Sequence, residues 1–231
     1  MTPAWLAVVV PVLDEEARIG RRLADLGRQP GVAEIVVVDG RSRDRTVALA
    51  AAVPGVRVVT APRGRGTQLN AGAAATTAEV LLFVHADTEL PADAARWITA
   101  ALADPAVVAG AFRVRHVADA GPNWLGPLLR LADLRSRVTH LPYGDQAVFV
   151  RRRAFETAGG FPAQPLFEDL ELAKRLRRLG RIEIVPAYVR VSARRFLARP
   201  VRSLAAMHLF PMLYRCGVSP EALVRLYGAP R

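Results

Sequence analysis

What most constrains this chain is the regular alternation in its first half. Short runs of consecutive apolar residues take turns with stretches whose apolar residues recur at helical spacing. Val8–Val12 and Ile35–Val38 are unbroken apolar runs, as expected of strands covered on both faces, and Val56–Thr60 and Val80–Val84 continue the series. Between the first two, Ile19, Leu23 and Leu26 mark one helix face and Gly27 closes the turn. Asp44 is suited to cap a second helix through Ala48 and Ala52, and Thr67–Thr77 reads as an alanine-rich third. A βαβαβαβ rhythm of this kind predicts a parallel sheet with right-handed crossovers.

The second half is less regular. Ala92–Ala103 and Phe167–Leu179 read as helices, the latter stopped by Gly180. Its expected buried stripe is Leu170, Ala173, Leu176 and Leu179, which leaves Asp169 near the edge. Val107–Val114 and Ala147–Val150 read as strands, and Ile182–Val185 and Tyr188–Ser192 as two paired edge strands. Trp124–Val138 shows helical spacing, while Val201–Tyr227 is apolar with interspersed arginines and is interrupted at Pro211 and Pro220.

Composition narrows the partners. A net charge of +11 would attract polyanions, and Lys174 is the sole lysine, so the field is one of arginines. These are spread along the chain with no basic tail, which argues against a nucleic-acid partner. A diphosphate substrate or an anionic membrane surface explains the field more economically. The clusters Arg151–Arg153 and Arg175–Arg181 read as solvated faces. The single cysteine, Cys216, excludes an internal disulfide and reads as a small core residue. No signal peptide is expected, nor any apolar stretch of the ~18 residues a membrane span needs. The expectation is a cytoplasmic protein, with peripheral contact at the inner face of the membrane left open.

In open parallel sheets, ligands bind at the carboxyl ends of the strands. Pro11–Glu16 follows the first strand, Asp39-Gly40 the second and His85-Ala86-Asp87 the fourth. Asp87 offers hard oxygen to Mg²⁺ or Mn²⁺, and such an ion would neutralise charge on a departing diphosphate. Capping of the turn before Pro91 is the competing explanation. Gly64–Gly72 precedes a helix whose N-terminus could meet an anion, although its spacing is neither a P-loop nor a dinucleotide fingerprint. The alternative is a tight loop in which Asn70 bonds a neighbouring backbone. Glu168 and Asp169 open a helix, either as ordinary capping or with a general base aimed into a cleft. Arg194 and Arg195, before Phe196, suit phosphate oxygens.

Taken in order, these segments resemble family 2 of the glycosyltransferases, from Val8 to about Phe196. The resemblance rests on Val9–Glu16, Glu34–Thr46, Gly66…Asn70-Ala71-Gly72, Phe83–Asp87 and Phe167-Glu168-Asp169. It implies an α/β fold of the GT-A type: a Rossmann-like, mostly parallel sheet flanked by helices, with a smaller acceptor-side sheet. It also implies one domain over 1–231, with a nucleotide-sugar half to about 115, an acceptor half to about 199 and a C-terminal amphipathic helical segment.

By the same resemblance, Pro11, Leu13 and Glu15 line the nucleotide pocket and Asp39 faces the base, uracil being the implied one. Arg65, Gly66, Asn70, His85, Ala86 and Asp87 complete the donor site. Asp87 holds the last position of the Asp-x-Asp metal motif, with His85 in place of the first aspartate, and Asp169 holds that of the catalytic base. Tyr143, Asp145, Gln146, Glu168, Arg194 and Arg195 fall on the acceptor or diphosphate side. The His-Ala-Asp version looks like a compact bacterial subgroup. The implied activity is inverting hexosyl transfer from a nucleotide-diphosphate sugar to an acceptor hydroxyl, assisted by Mn²⁺ or Mg²⁺. The acceptor is left open, lipid-linked or small. The rivals are a nucleotidyltransferase, whose phosphate loop usually stands where Pro11–Glu16 stands here, and a non-catalytic nucleotide-sugar-binding protein. For the C-terminal segment, membrane-surface contact and core or homodimer packing fit equally well.

Overall fold

The computed structural model describes residues 5–117, 141–193 and 200–227. Strands β1 (Leu6–Val12), β2 (Glu34–Asp39), β3 (Val56–Thr60) and β4 (Val80–Phe83) pair in parallel in the order β3-β2-β1-β4. Alternate residues of a strand face opposite ways, and both faces of β1, β2 and β4 are covered, whereas β3, at the sheet edge, is half-exposed. Leu6, Val8, Val10 and Val12 meet Ile19, Leu23 and Leu26 of α1 (Ile19–Gly27), Ala50 of α2 (Thr46–Ala51) and Ile98 of α4 (Ala94–Leu102). Val9, Val36 and Val38 lie in the opposite core with α3 (Arg65–Ala74), α5 (Arg152–Thr157) and α6 (Glu168–Leu179). The unbroken apolar runs of β1, β2 and β4 therefore mark strands covered on both sides, as the sequence implies, while 56–60, broken by Arg57 and included in the same series, is a half-exposed edge strand.

Helix α3 lies unusually close to the sheet. A Cβ on Gly72 would stand 2.3 Å from Val9 Cγ1 and 2.8 Å from Val38 Cγ2, so only glycine allows this approach. Gly72→Ala is expected to cost about 1–3 kcal/mol by overpacking, read as a lower urea midpoint at unchanged slope.

Beyond β4 the sheet changes direction. β7 (Phe149–Arg151) runs antiparallel to β4 and to β6 (Val107–Val117), which pairs in parallel with β8 (Arg181–Ser192). The two-residue β5 (Thr88–Glu89) closes the edge against β8, so all eight described strands share one sheet. The strands of the second half are thus continuous with the main sheet, because β7 joins β4 to β6 and β6 pairs with β8.

The two edge strands expected at 182–185 and 188–192 form a single strand. Both segments pair with β6 and not with each other, and the register shifts where Phe112 and Arg113 face Val185 and Tyr188. Pro186 sits in that irregularity, where a missing N–H is tolerated. Within α6, Leu172 is buried, whereas Leu179, at the end before Gly180, is 42% exposed and leaves the expected stripe. Arg151 and Arg152 are half-buried rather than solvated. Arg151 donates to Val107 O and Leu102 O, and Arg152 to Ala73 O and Ala78 O, which satisfies carbonyls around the ends of α4 and α3.

The C-terminal helices are α7 (Pro200–Arg215) and α8 (Pro220–Tyr227). Pro220 opens α8, but Pro211 lies inside α7, which loses one backbone donor there without ending. Cys216 is exposed, just past the end of α7, and is not a core residue. No described helix is long and apolar enough to cross a membrane. The helical spacing of Trp124–Val138, and Arg194, Arg195 and Phe196, lie outside the described residues.

Candidate active site

Two loops meet at the carboxyl ends of β1 and β2 and are tied by reciprocal hydrogen bonds. Asp14 N donates to Ser42 Oγ (2.9 Å) and Arg43 N to Asp14 Oδ1 (2.8 Å). Glu15 N donates to Thr46 Oγ1 (2.8 Å), Glu16 N to Asp44 Oδ2 (3.0 Å) and Arg45 N to Glu16 Oε2 (3.0 Å). Asp44 accepts from Thr46 N at the start of α2, a cap displaced by one residue from the position expected for it. Asp39 is buried and receives the amides of Arg41 (2.9 Å) and Ser42 (3.1 Å), which fixes the left-handed step at Arg41 (φ 68°). Pro11 lies near the end of β1, and Leu13 and Glu15 follow it in this joined platform.

Strand β4 delivers His85, Ala86 and Asp87 beside it. Thr88 N closes the turn on His85 O (3.0 Å), and Ser192 N donates to Asp87 O (3.2 Å). Arg22 of α1 reaches Ala86 O (3.3 Å). Burial lowers the Arg22 pKa, against the opposing pull of Glu89, Asp25 and Asp87.

Helix α3 links this end of the sheet to the second half. Gln68 Nε2 donates to Val12 O (3.0 Å) and Val38 O (2.9 Å), holding the last turns of β1 and β2 together. Asn70 exchanges two hydrogen bonds with the backbone of Phe161, at 2.8 and 2.9 Å. Gly66 lies where a Cβ would be 2.9 Å from Pro162 O. The helix begins at Arg65, with Gly64 (φ 135°) before it. Arg65 and Gly66 thus belong to the first helical turn, which is packed against 161–168. For Asn70, the observed bonding is the backbone alternative weighed from the sequence.

The remaining side chains converge from α6 and a 3₁₀ turn at Gly144–Gln146. Gln146 is fully buried; its amide group donates to Phe112 O (2.9 Å) and accepts from Tyr143 N (3.0 Å), shaping the turn. Gly144 N donates to Asp169 Oδ2 (2.5 Å), and Leu170 N to Asp169 Oδ1 (2.7 Å). A Cβ on Gly144 would lie 3.1 Å from His85 Nε2 and 3.2 Å from Asp169 Oδ2. Asp169 is therefore brought to the His85 end of β4, across a chain separation that no spacing argument could bridge. Phe167, just before the acidic pair, adopts the left-handed conformation (φ 63°, ψ 22°) and starts α6.

Glu168 is 1% exposed and pairs with the Arg65 guanidinium. Burial pushes the Glu168 carboxyl above its ordinary pKa, more than Arg65 restores. Burial alone would lower Arg65, but Glu168 first, then Asp169 and Asp145, reverse this and hold the guanidinium firmly charged. Arg65, His85, Gly144, Glu168 and Asp169 line one pocket, whose floor is Leu69, Phe83, Val148 and Phe161.

Gln68, Gly144, Ser42 and Thr46 stand within the motifs singled out from the sequence, but their roles as ties emerge only in the structure. One signal was available: Gln68 stands one helical turn before Gly72, on the face that meets the sheet.

A sheet of this connectivity, with its polar groups gathered at the carboxyl ends of β1, β2 and β4, defines a GT-A-type glycosyltransferase fold. A family model described as glycosyl transferase family 2 matches residues 7–159, and the chain belongs to that family. Among solved structures, a mannosyltransferase from Pyrobaculum calidifontis in complex with GDP-Man and Mn²⁺ is 24% identical, with a TM-score of 0.66 over 96% of this chain and 68% of that one. TarS 1–349 of S. aureus in complex with UDP is 20% identical, with a TM-score of 0.65 over 88% of this chain and 65% of that one. The same segment with UDP-GlcNAc gives a TM-score of 0.63 at 20% identity, over 81% and 58%. These likenesses are likenesses of fold. No curated protein matches the chain.

Proposed function

We propose that this protein is an inverting, nucleotide-sugar-dependent hexosyltransferase with Asp169 as its general base. The observation that carries this reading is the approach of Asp169 and His85 to one backbone point, Gly144, at the end of a central parallel strand. Asp169 takes the proton of the acceptor hydroxyl as that oxygen attacks the anomeric carbon from the face opposite the diphosphate. The glycosidic C–O bond breaks and its electron pair leaves with the nucleoside diphosphate. The Gly144 and Leu170 amides aim the carboxylate, and base assistance of this kind contributes about 10²–10⁴-fold.

The base of the donor, uracil by the resemblance, lies on Pro11, Leu13, Glu15 and the loop that Asp39 holds. Asp87 would hold Mn²⁺ or Mg²⁺ together with donor phosphate oxygens. Among the described residues no group of three or more His, Cys, Asp or Glu is arranged as a metal cage. That suits ions which use one or two carboxylates plus substrate phosphates. Such an ion, when bound, offsets charge on the departing diphosphate. Arg194 and Arg195 are assigned to the same diphosphate. Tyr143, Asp145, Gln146 and Glu168 form the acceptor side, with Arg65, Gln68 and Asn70 fastening the two halves. The His-Ala-Asp sequence supports reading the chain as one of a compact bacterial subgroup, acting on a lipid-linked or small acceptor.

A panel of UDP- and GDP-linked sugars, with and without Mn²⁺, tests the reading by thermal shift and nucleoside diphosphate release. One preferred donor is expected, with Asp87→Ala losing the Mn²⁺-dependent part of its shift. An unchanged Mn²⁺ titration in that variant would remove Asp87 from the role. Pyrophosphate release from a nucleoside triphosphate and a sugar 1-phosphate would point to a nucleotidyltransferase. Donor binding without any turnover would point to a binding protein.

A further inference from the structure

Among the described residues, helix α7 meets the helix that carries Asp169 through Tyr214, with Phe210 and Leu213 beside it. Tyr214 stacks on Phe167, with ring centroids 5.1 Å apart and planes at 27°. The Tyr214 hydroxyl donates to Glu171 Oε2 (3.3 Å), and the Lys174 ammonium lies 4.6 Å from the centre of its ring. Residues 167, 171 and 174 follow the i, i+4, i+7 spacing of one helix face, so a single side chain grips the first two turns of α6. Phe167 is also the residue in the left-handed conformation, which a non-glycine residue keeps only when its surroundings over-determine it. Those surroundings are Tyr143, Leu170 and Leu223, all buried, with Phe210 and Leu213 packed around them. Tyr143 in turn precedes Gly144, whose amide holds Asp169.

We propose that Tyr214 is a positioning residue for transfer: by clamping Phe167 it fixes the backbone step that aims Asp169 at Gly144 and the pocket. The proposal rests on the reading of Asp169 as the base. Through it, the C-terminal helices would help to position the base.

The test uses the full chain, with Mn²⁺ and the preferred sugar nucleotide of the panel, and reads nucleoside diphosphate release to water. Tyr214→Ala is expected to lower kcat roughly 10- to 100-fold, as a misplaced catalytic group does, and to leave the donor KM within about twofold. Tyr214→Phe, which keeps the stack, should retain most of the activity. The deciding measurement is Tyr214→Ala in an Asp169→Asn background, where the further loss should vanish because the two residues act in series. The same loss in both backgrounds, an unchanged kcat, or a Phe variant as poor as the Ala variant would overturn the proposal. Should Tyr214→Ala not fold, Tyr214→Leu is judged by the same outcomes. Amide exchange gives an independent readout: faster exchange at Gly144 and Leu170 is expected in the variant, and unchanged exchange counts against the clamp. Wild-type turnover in Asp169→Asn alone would instead sink the assignment of the base, whatever Tyr214 does.

Discussion

Asp169→Asn is expected to lower turnover by roughly two to four orders of magnitude while donor binding stays intact. The carboxylate is held by two amides, one on each oxygen. An asparagine has one acceptor oxygen, so it satisfies Gly144 or Leu170 but not both. A stability loss of about 1–3 kcal/mol should therefore accompany the catalytic one, as for one lost hydrogen bond to a charged group. The two effects separate cleanly, because so small a destabilisation leaves the protein folded at assay temperature. Donor titration and nucleoside diphosphate release, measured on the same preparation, decide the matter. Turnover close to that of the unmodified protein would take the role away from Asp169.

The second large effect is expected from Arg65→Ala. Removing the guanidinium strands the Glu168 carboxylate, which is 1% exposed, beside Asp169. Breaking a fully buried pair costs about 3–5 kcal/mol. Here 38% of the Arg65 side chain reaches solvent, so water screens part of the interaction and about 2–3 kcal/mol is the expected loss. For a chain of this size that corresponds to roughly 5–10 °C in Tm. Adding Glu168→Gln should recover much of it, since the stranded charge is then gone. A single variant as stable as the unmodified protein would mean that the pair contributes nothing to the fold.

The parallel half of the fold was legible because its signals are local. Continuous apolar runs marked the covered strands, and α1, α4 and α6 begin and end within a few residues of their expected positions. The candidate site was legible in its acidic members, since Asp39, Asp87 and the Glu168-Asp169 pair each stand at the end of a strand or the start of a helix. What the sequence concealed depends on distant partners. The Gly64–Gly72 stretch resembles an anion loop, yet its glycines answer to Val9, Val38 and Pro162, and its Asn70 to Phe161. The segments 182–185 and 188–192 read as two strands because nothing local shows β6 carrying the pairing across Pro186. The left-handed Phe167 carries no signature at all, since aromatic residues rarely adopt that conformation and its support comes from α7.

The hydrogen bond from Ser192 to Asp87, and the β5–β8 pairing around it, bear on how such enzymes could be recombined. Asp87 belongs by sequence to the amino-terminal half, but its backbone is anchored to the far end of a strand encoded near the carboxyl terminus, immediately before Arg194 and Arg195. A chimera that grafts residues 1–115 onto another relative's remainder would import the joined loops after β1 and β2 together with Asp87, and leave that anchor behind. An exchange that keeps this anchor has to carry 181–193 along with the amino-terminal segment.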